Sequence, residues 1–318
     1  MVPELSIVLV NHNGAGCLPA TLEALARNTT TAEAECLVVD SGSSDGSWEA
    51  VERWWEKGRA LRFEANIGFC AGCNRGAEAA HGKLLAFVNF DAAVEHAWDA
   101  PLQELLADPG VSVATGLLLS PDGSIVEAAG LEVAPNMATY GRLEGTRRSD
   151  VSREPVDVTA ASGALMMVRR AEFLELRGFY EPIFMYGEEV DYCLRVPGRI
   201  VLHPASAVRH EQGHASGPHR SAVRLYWPSR NRLLNASRHL PLPALAKSVA
   251  ASAAFDLVTL AQMRSVGAVR AIARGWRDGL SALPGERGAR RAPERREAAR
   301  RLVSFRVALR EQRRLGRL

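Results

Sequence analysis

Residues 35–47 read ECLVVDSGSSDGS. The run Cys36–Val39 is apolar without alternation, ends on Asp40 and gives way to a loop of small residues. An unbroken apolar run of this length is a strand covered on both faces, as in a parallel sheet. The loop then stands at the carboxyl end of the strand, where an open α/β sheet receives its ligand. Asp40 can accept a hydrogen bond from a base N–H, and Gly42 to Gly46 let a ligand approach the backbone. A plain polar turn is the competing reading of this segment alone.

The same rhythm extends outward. Leu5–Val10 (LSIVLV) is a second buried strand, followed by the turn Asn11-His-Asn-Gly and helical spacing over Leu18–Arg27. Trp48–Trp55 and Cys73–Ala80 read as helices, Leu61–Glu64 and Leu84–Asn89 as strands. Alternating strands and helices specify an α/β domain with a mostly parallel, mixed sheet. Further on, Pro101–Ala107 is expected as helix and Ser112–Leu119 as strand, with a hairpin turn at Pro121-Asp-Gly before Ile125. Residues 134–155 are polar and are expected as a mobile loop over a cleft. Val156–Val168 reads as strand, Ala171–Arg177 and Glu188–Arg195 as short helices. From Leu242 to Leu280 the chain is Ala-rich, apolar and helical. The expected division is a domain at 1–238 and a helical, Arg-rich extension at 239–318.

With 318 residues, 47% hydrophobic and 24% charged, the chain can bury a large core. Its net charge of +3 is unevenly placed, because residues 284–318 hold 12 Arg against 4 Glu. The tail is therefore +8 and the body about −5, a pattern that suits an anionic membrane surface or a polyanion. No aromatic-interleaved basic platform accompanies the tail, so nucleic acid is not the expected partner. The five cysteines are odd in number and carry no secreted disulfide pattern. Cys70 and Cys73 form a single CxxC without a second pair, which reads as reduced cytosolic thiols rather than a zinc site. Met1–Leu5 shows no basic signal region. The longest apolar C-terminal segment free of Lys and Arg, Ser248–Met263, is shorter than the ~20 residues of a spanning helix. The expected location is the cytoplasm, peripheral on the inner face of the cell membrane. The oligomeric state is left open and a homodimer is allowed.

Three further segments carry chemistry. Asn66–Gly76 (NIGFCAGCNRG) offers the amides of Asn66 and Asn74 and close approach at Gly68 and Gly72. Asn89-Phe-Asp91 sets a carboxylate at a strand end, a fitting ligand for Mg²⁺ or Mn²⁺. Glu188-Glu189-Val-Asp191 crowds three acids into four positions. Such acids raise one another's pKa, which suits a general base, and Asp191 is spaced to pair with Arg195 on a helix.

Taken in order, VVDSGSSDGS, NIGFCAGCNRG, FVNFD, ASGALMMVRRAEF and GFYEPIFMYGEEVDYCLR, with the His-rich segment after them, resemble glycosyltransferase family 2 enzymes of GT-A fold, in the rhamnosyltransferase-like branch. The resemblance covers about Ser6 to Asn235. It implies an inverting glycosyltransferase that moves a sugar from a nucleoside diphosphate sugar to an acceptor hydroxyl on a saccharide or lipid-linked acceptor, in cell-surface polysaccharide or glycolipid synthesis. It implies that Asp40 binds the base and that Asn66, Gly68 and Asn74 line the nucleotide pocket, with Asn11, Ser43, Asp45 and Asn89 at the neighbouring strand ends. Asp91 would hold Mg²⁺ or Mn²⁺ with His210, Glu189 would be the base beside Glu188, and Arg230 and Asn231 would lie near the diphosphate or acceptor. The sequence departs from the family in three places. Asn-Phe-Asp91 has a single carboxylate, the acid pair is Glu-Glu where Glu-Asp is usual, and Cys70 and Cys73 replace small residues.

His210-Glu-Gln-Gly-His214 also matches the HExxH of zinc proteases. That motif needs one helical turn, whereas Gly213 and Pro218 disfavour helix and the preceding residues read as strand. A metallohydrolase is therefore the minor alternative. A non-catalytic nucleotide-sugar binding protein is the other, and it would have no use for the acid pair.

Overall fold

The structure, a computed structural model, describes residues 3–54, 59–210, 221–286 and 292–304, with Val307 and Arg310. The first half alternates as expected: β1 (Leu5–Asn11), α1 (Leu18–Asn28), β2 (Ala34–Ser41), α2 (Ser47–Trp54), β3 (Arg59–Phe63), α3 (Gly68–Ala79), β4 (Leu84–Val88), β5 (Ala92–Val94) and α4 (Asp99–Ala107). There follow β6 (Val111–Leu119), β7 (Val126–Ala129), β8 (Leu131–Val133), β9 (Thr139–Gly141), β10 (Val156–Asp157), β11 (Leu165–Arg169), α5 (Arg170–Glu175), α6 (Glu188–Cys193) and β12 (Arg199–His210). Four helices close the described chain: α7 (Ala222–His239), α8 (Leu242–Met263), α9 (Val266–Glu286) and α10 (Ala292–Arg301).

Among the described residues the main sheet has the order β10-β12-β6-β11-β4-β1-β2-β3, with β5 on β12 and β7 on β6. Strands β3, β2, β1, β4, β6 and β12 point one way; β11, β10, β5 and β7 run against them. The mixed, mostly parallel sheet is thus the one the apolar runs specify. Strand β1 shows why those runs are unbroken. Val8 and Val10 pack with Phe87, Phe173 and Phe179 on one face, while Ile7 and Leu9 pack with Leu18, Leu22 and Trp98 on the other.

Several local expectations are corrected. Helix α3 begins at Gly68, not Cys73, so most of NIGFCAGCNRG is helix. A Cβ at Gly72 would stand 2.6 Å from Val10 and one at Gly76 2.3 Å from Val8, so these glycines admit the helix to β1 rather than a ligand to the backbone. Val156–Val168 is two strands: β10 sits at the sheet edge on β12, and β11 enters the centre between β4 and β6. Residues 134–155 are not an open loop. Ala134 N–H donates to Ala138 O (2.9 Å), and β8 pairs with β9. Arg147 bridges to Ile125, and Asn136, Met137 and Tyr140 are buried. The hairpin after Pro121-Asp-Gly forms, closed by Ser120 N–H on Ile125 O at 2.8 Å.

The C-terminal helices close against the body. Gly275 and Gly279 bring α9 onto α7, where added Cβ atoms would meet Tyr226 O at 2.7 Å and Leu233 Cδ1 at 2.8 Å. Glu286 at the end of α9 accepts from Arg238 (2.9 Å) and from the Tyr180 hydroxyl (2.8 Å). The expected division at 238/239 falls in the last turn of α7.

Candidate active site

The carboxyl ends of β1, β2 and β4 open on one side of the sheet, as a parallel arrangement requires. Asn11 and Asp40 are register partners, and Asn11 Nδ2 donates to Asp40 Oδ2 at 2.8 Å. Asp40 Oδ1 accepts from Ser43 N–H (3.1 Å), and Asp40 is fully buried. Asp40 thereby ties the two strand ends together at the floor of the loops. The loops beyond are laced together. Ser43 Oγ accepts from Asn13 N–H (2.9 Å) and Asp45 from Ala15 N–H (2.8 Å) and the Ser47 hydroxyl (2.6 Å). Burial works against ionisation of Asp45, but these hydrogen bonds outweigh it and hold its pKa low. Asn66 is exposed beside them, accepting from the Ser41 hydroxyl (3.1 Å) and Gly68 N–H (2.9 Å). Gly68 needs its φ of +84° and lies against the Phe184 ring. Asn74 is drawn elsewhere: its amide spans α3 and the chain at Phe179, donating to Phe179 O and accepting from Phe179 N–H, both at 2.8 Å. It pins that segment and lines neither cavity described below.

A cavity of about 220 Å³ sits below these loops, lined by Asn89, Asp91, Ser162, Glu188, Glu189 and His210 among others. His210, the last residue of β12, places Nε2 3.3 Å from Asp91 Oδ1 and Nδ1 3.3 Å from Glu127 Oε2. Burial opposes protonation of His210, but hydrogen bonds to Asp91 and Glu127 prevail and set its pKa at about 9. Glu127, on β7, is a neighbour that sequence reading missed. Among the described residues no group of three or more His, Cys, Asp or Glu forms a self-sufficient metal cage. Asp91 and, once it releases its proton to an incoming ion, the His210 imidazole are two adjacent donors that fit a divalent ion completing its shell with substrate oxygens and water. Because His210 ends a strand, it is not set for the single helical turn of a zinc protease; His214 lies outside the described residues.

Glu188 and Glu189 open α6. Burial foremost, then the neighbouring Glu189 charge, push Glu188 far above the ordinary carboxylate range, and its Oε2 is buried without a partner. Burial also raises Glu189, whose hydrogen bonds to Gly187 N–H (3.1 Å) and Glu188 moderate the rise. Burial thus raises both members of the pair, Glu188 the more strongly. Asp191, two residues on, is different. It is fully buried, yet Arg195 Nε, Arg238 Nε and His239 Nε2 each lie 2.8 Å from its carboxylate. Those cations overcome the burial penalty and hold its pKa far below the ordinary value. The anticipated Asp191–Arg195 pair is present.

The chain entering α6 is held under strain. Phe184 (φ 67°) and Tyr186 (φ 65°) are left-handed without being glycine. Such conformations persist where surroundings over-determine them. Asn231 Nδ2 faces Ile183 O (3.0 Å), Met185 O (2.8 Å) and Tyr186 O (2.9 Å), and Asn235 donates to Gly187 O (2.8 Å). The Phe184 ring stacks on Trp227 at 4.7 Å. Arg230 donates to Pro182 O and to Asn231 Oδ1. Arg230 and Asn231 therefore brace the strained turn; Arg230 lines neither cavity described here. A second cavity of about 280 Å³ lies beyond, between the β8–β9 hairpin, α7 and α8. Tyr186, Glu189 and Arg224 line both cavities.

Residues 6–175 match the family model described as Glycosyl transferase family 2. The chain belongs to that family. An N-acetylglucosaminyl-diphospho-decaprenol L-rhamnosyltransferase of Mycobacterium tuberculosis is 27% identical over 248 residues, spanning 68% of this chain and 79% of that protein. The chain is similar to that enzyme over about two thirds of its own length. A Sinorhizobium fredii protein is 25% identical over 240 residues, and the match spans 69% of this chain but only 26% of that protein. Among solved structures, S. aureus TarS 1-349 in complex with UDP-GlcNAc aligns with TM-score 0.58 at 16% identity, covering 98% of this chain and 92% of that one. A mannosyltransferase of Pyrobaculum calidifontis in complex with GDP-Man and Mn²⁺ aligns with TM-score 0.54 at 17% identity, covering 94% and 86%. GalNAc-T7 with UDP, GalNAc and Mn²⁺ gives 0.58 at 20%, covering 74% and 48%. At these identities the likeness is one of fold, the GT-A arrangement.

Proposed function

We propose that the chain transfers a sugar from a nucleoside diphosphate sugar to an acceptor hydroxyl with inversion at the anomeric carbon. The observation that carries this reading is the position of Glu189 on the wall shared by two cavities. In this reading the cavity with Asp91 and His210 takes the diphosphate and sugar, and the cavity against α7 and α8 takes the acceptor. Glu189 then meets the acceptor hydroxyl from one side while the leaving diphosphate departs on the other. Glu188, buried beside it, raises the proton affinity of the pair and so favours Glu189 as a base. One displacement needs a base and no enzyme nucleophile.

Asp91 and His210 would hold Mg²⁺ or Mn²⁺; when bound, the ion supplies charge neutralisation for the leaving diphosphate. The Mn²⁺ recorded with two of the structural neighbours supports a divalent ion here. The loops joined through Asn11, Ser43 and Asp45, with Asn66 and Asn89, form the nucleotide wall. Residues 1–238 make the catalytic domain and 239–318 a helical extension that braces it. Rhamnose is the proposed sugar and a lipid-linked saccharide the proposed acceptor, by likeness to the mycobacterial relative. A non-catalytic sugar-nucleotide binder would have no need of a buried acid pair with raised pKa in its cleft.

The test is donor hydrolysis across a panel of nucleotide sugars, with and without Mn²⁺, for the wild type and Glu189→Gln. Turnover of one donor that Glu189→Gln abolishes, with donor binding kept, is the expected result. Tight binding with no turnover of any donor overturns the enzymatic reading.

A further inference from the structure

Helix α8 is inverted relative to a water-facing helix, which turns its apolar stripe inward. Its buried positions are Ser248, Ser252 and Asp256, all polar. Ser252 donates to Asn136 O at 3.2 Å, and both Asp256 oxygens accept from Arg232 Nη2 at 2.7 and 2.6 Å. Trp276 Nε1 adds a third bond to Asp256 at 2.7 Å. The inward polar face is therefore a bonded packing. The outward face presents Pro243, Ala246, Ala250, Ala254, Leu257 and Ala261, at helical spacing. Leu242 and Leu257 are 67% and 66% exposed, and the patch continues into α9 through Val266 (67%) and Val269 (49%).

The rim of this patch is cationic. Residues 241–278 contain Lys247, Arg264, Arg270, Arg274 and Arg277 against two acids, the buried Asp256 and Asp278, which pairs with Arg277 at 2.8 Å, so four of the five cations remain for the rim. A second copy of the chain would bring two cationic rims together, whereas anionic lipid headgroups neutralise them. By length and apolarity α8 reaches the size of a membrane crossing, a correction to the shorter estimate from Ser248–Met263. A crossing would pull the Arg232–Asp256 pair apart, and α9 returns along α7 through Gly275 and Gly279.

We propose that the outward face of α8 and the first turn of α9 seat in the plane of an anionic lipid surface. The inner side of the same helix, at Phe255, Asp256 and Thr259, walls the cavity that Glu189 shares. Seating α8 therefore holds that cavity one helix diameter, about 10 Å, from the lipid surface, so that an acceptor anchored in the membrane reaches Glu189 around the helix. This last consequence rests on the function proposed above; the lipid contact itself does not.

The experiment is co-sedimentation of the full chain with phosphatidylcholine vesicles with and without phosphatidylglycerol, at low salt. The wild type is compared with Leu257→Glu/Val266→Glu, both exposed and outside the cavities. The wild type is expected to sediment with the phosphatidylglycerol vesicles, and the variant to lose about tenfold or more of that partitioning. Donor hydrolysis and the circular-dichroism melt are expected to stay unchanged. No sedimentation of the wild type, equal sedimentation of both forms, or a wild-type dimer that the variant converts to monomer without any vesicle binding overturns the proposal. A chain that binds vesicles as described yet turns over no donor leaves the lipid surface standing and removes the function instead.

Discussion

Replacing Asn231 with Ala tests the brace on the strained turn before α6. The amide serves the carbonyls of Ile183, Met185 and Tyr186. The amide has two hydrogens for the three carbonyls, and two bonds at about 0.5–1.5 kcal/mol each sum to about 1–3 kcal/mol. The Ile183 carbonyl keeps a second donor, Met185 N–H at 2.8 Å, so the loss falls chiefly on the Met185 and Tyr186 carbonyls. That loss lowers the melting temperature by about 2–10 °C in a domain of this size. Without the amide, Phe184 and Tyr186 can leave the left-handed region, and Glu189 moves with them. A displacement on the order of 1 Å at a reacting group costs about 10²-fold in rate. Nucleoside diphosphate binding, which faces the strand-end loops, stays within about twofold. Urea unfolding, calorimetric binding and initial rates measure the three quantities on one preparation. A stability loss of this size with unchanged turnover refutes the view that the brace positions the base; unchanged stability refutes the hydrogen bonds themselves.

Glu189→Gln is expected to lower turnover by about 10²–10⁴ with donor affinity kept, and near-normal rates would reassign the base. Asp91→Ala is expected to abolish metal-dependent donor binding, and chelation should silence the wild type until Mn²⁺ or Mg²⁺ is returned; full activity in excess chelator contradicts the metal assignment. Glu127→Gln, which loosens the hold on His210 Nδ1, is expected to weaken Mn²⁺ binding about 10–100-fold, read by titration in the presence of nucleoside diphosphate. Asp191 has a folded pKa far below its unfolded value, so its ionised form stabilises the fold above about pH 4 and the contribution fades as pH falls further. The stability gap between wild type and Asp191→Asn should therefore be full at neutral pH and narrow on acidification; a gap that widens contradicts the ion cluster.

The sheet was legible because buried parallel strands read as continuous apolar runs, and β1, β2 and β4 all fall where such runs end. The acid pair was legible because three carboxylates in four residues demand an explanation. Contacts made across the sheet were not. Nothing local marks Glu127 as the partner of His210, or Arg224 as a lining of both cavities. Asp40, Asn74 and Asn231 were recognised as special, yet their hydrogen bonds turn inward, because a motif marks a position and not the direction its side chain faces. Val156–Val168 read as one strand since small and apolar residues run through it, although β10 is a half-exposed edge, β11 is buried and the chain changes neighbours at Ala160–Gly163. The inversion of α8 was hidden for a related reason: Ala, Ser and Val repeat around the whole helix, and only the bonds of Asp256 and Ser252 reveal the inner side.

The ties from Asn231 to the turn before α6, and from Arg238 and Glu286 to Asp191 and Tyr180 on either side of it, have a consequence for biosynthesis. The sheet and both loops of the nucleotide wall are complete when residue 210 leaves the ribosome, but α7 and α9 follow later. Domains form as they emerge, from the N-terminus onward. A nascent chain can therefore fold its central sheet while the turn carrying Glu188 and Glu189 still lacks its restraints. The chemistry proposed for Glu189 then waits until α9 has emerged, so a chain cut short between His210 and Glu286 is expected to be folded at its sheet but idle.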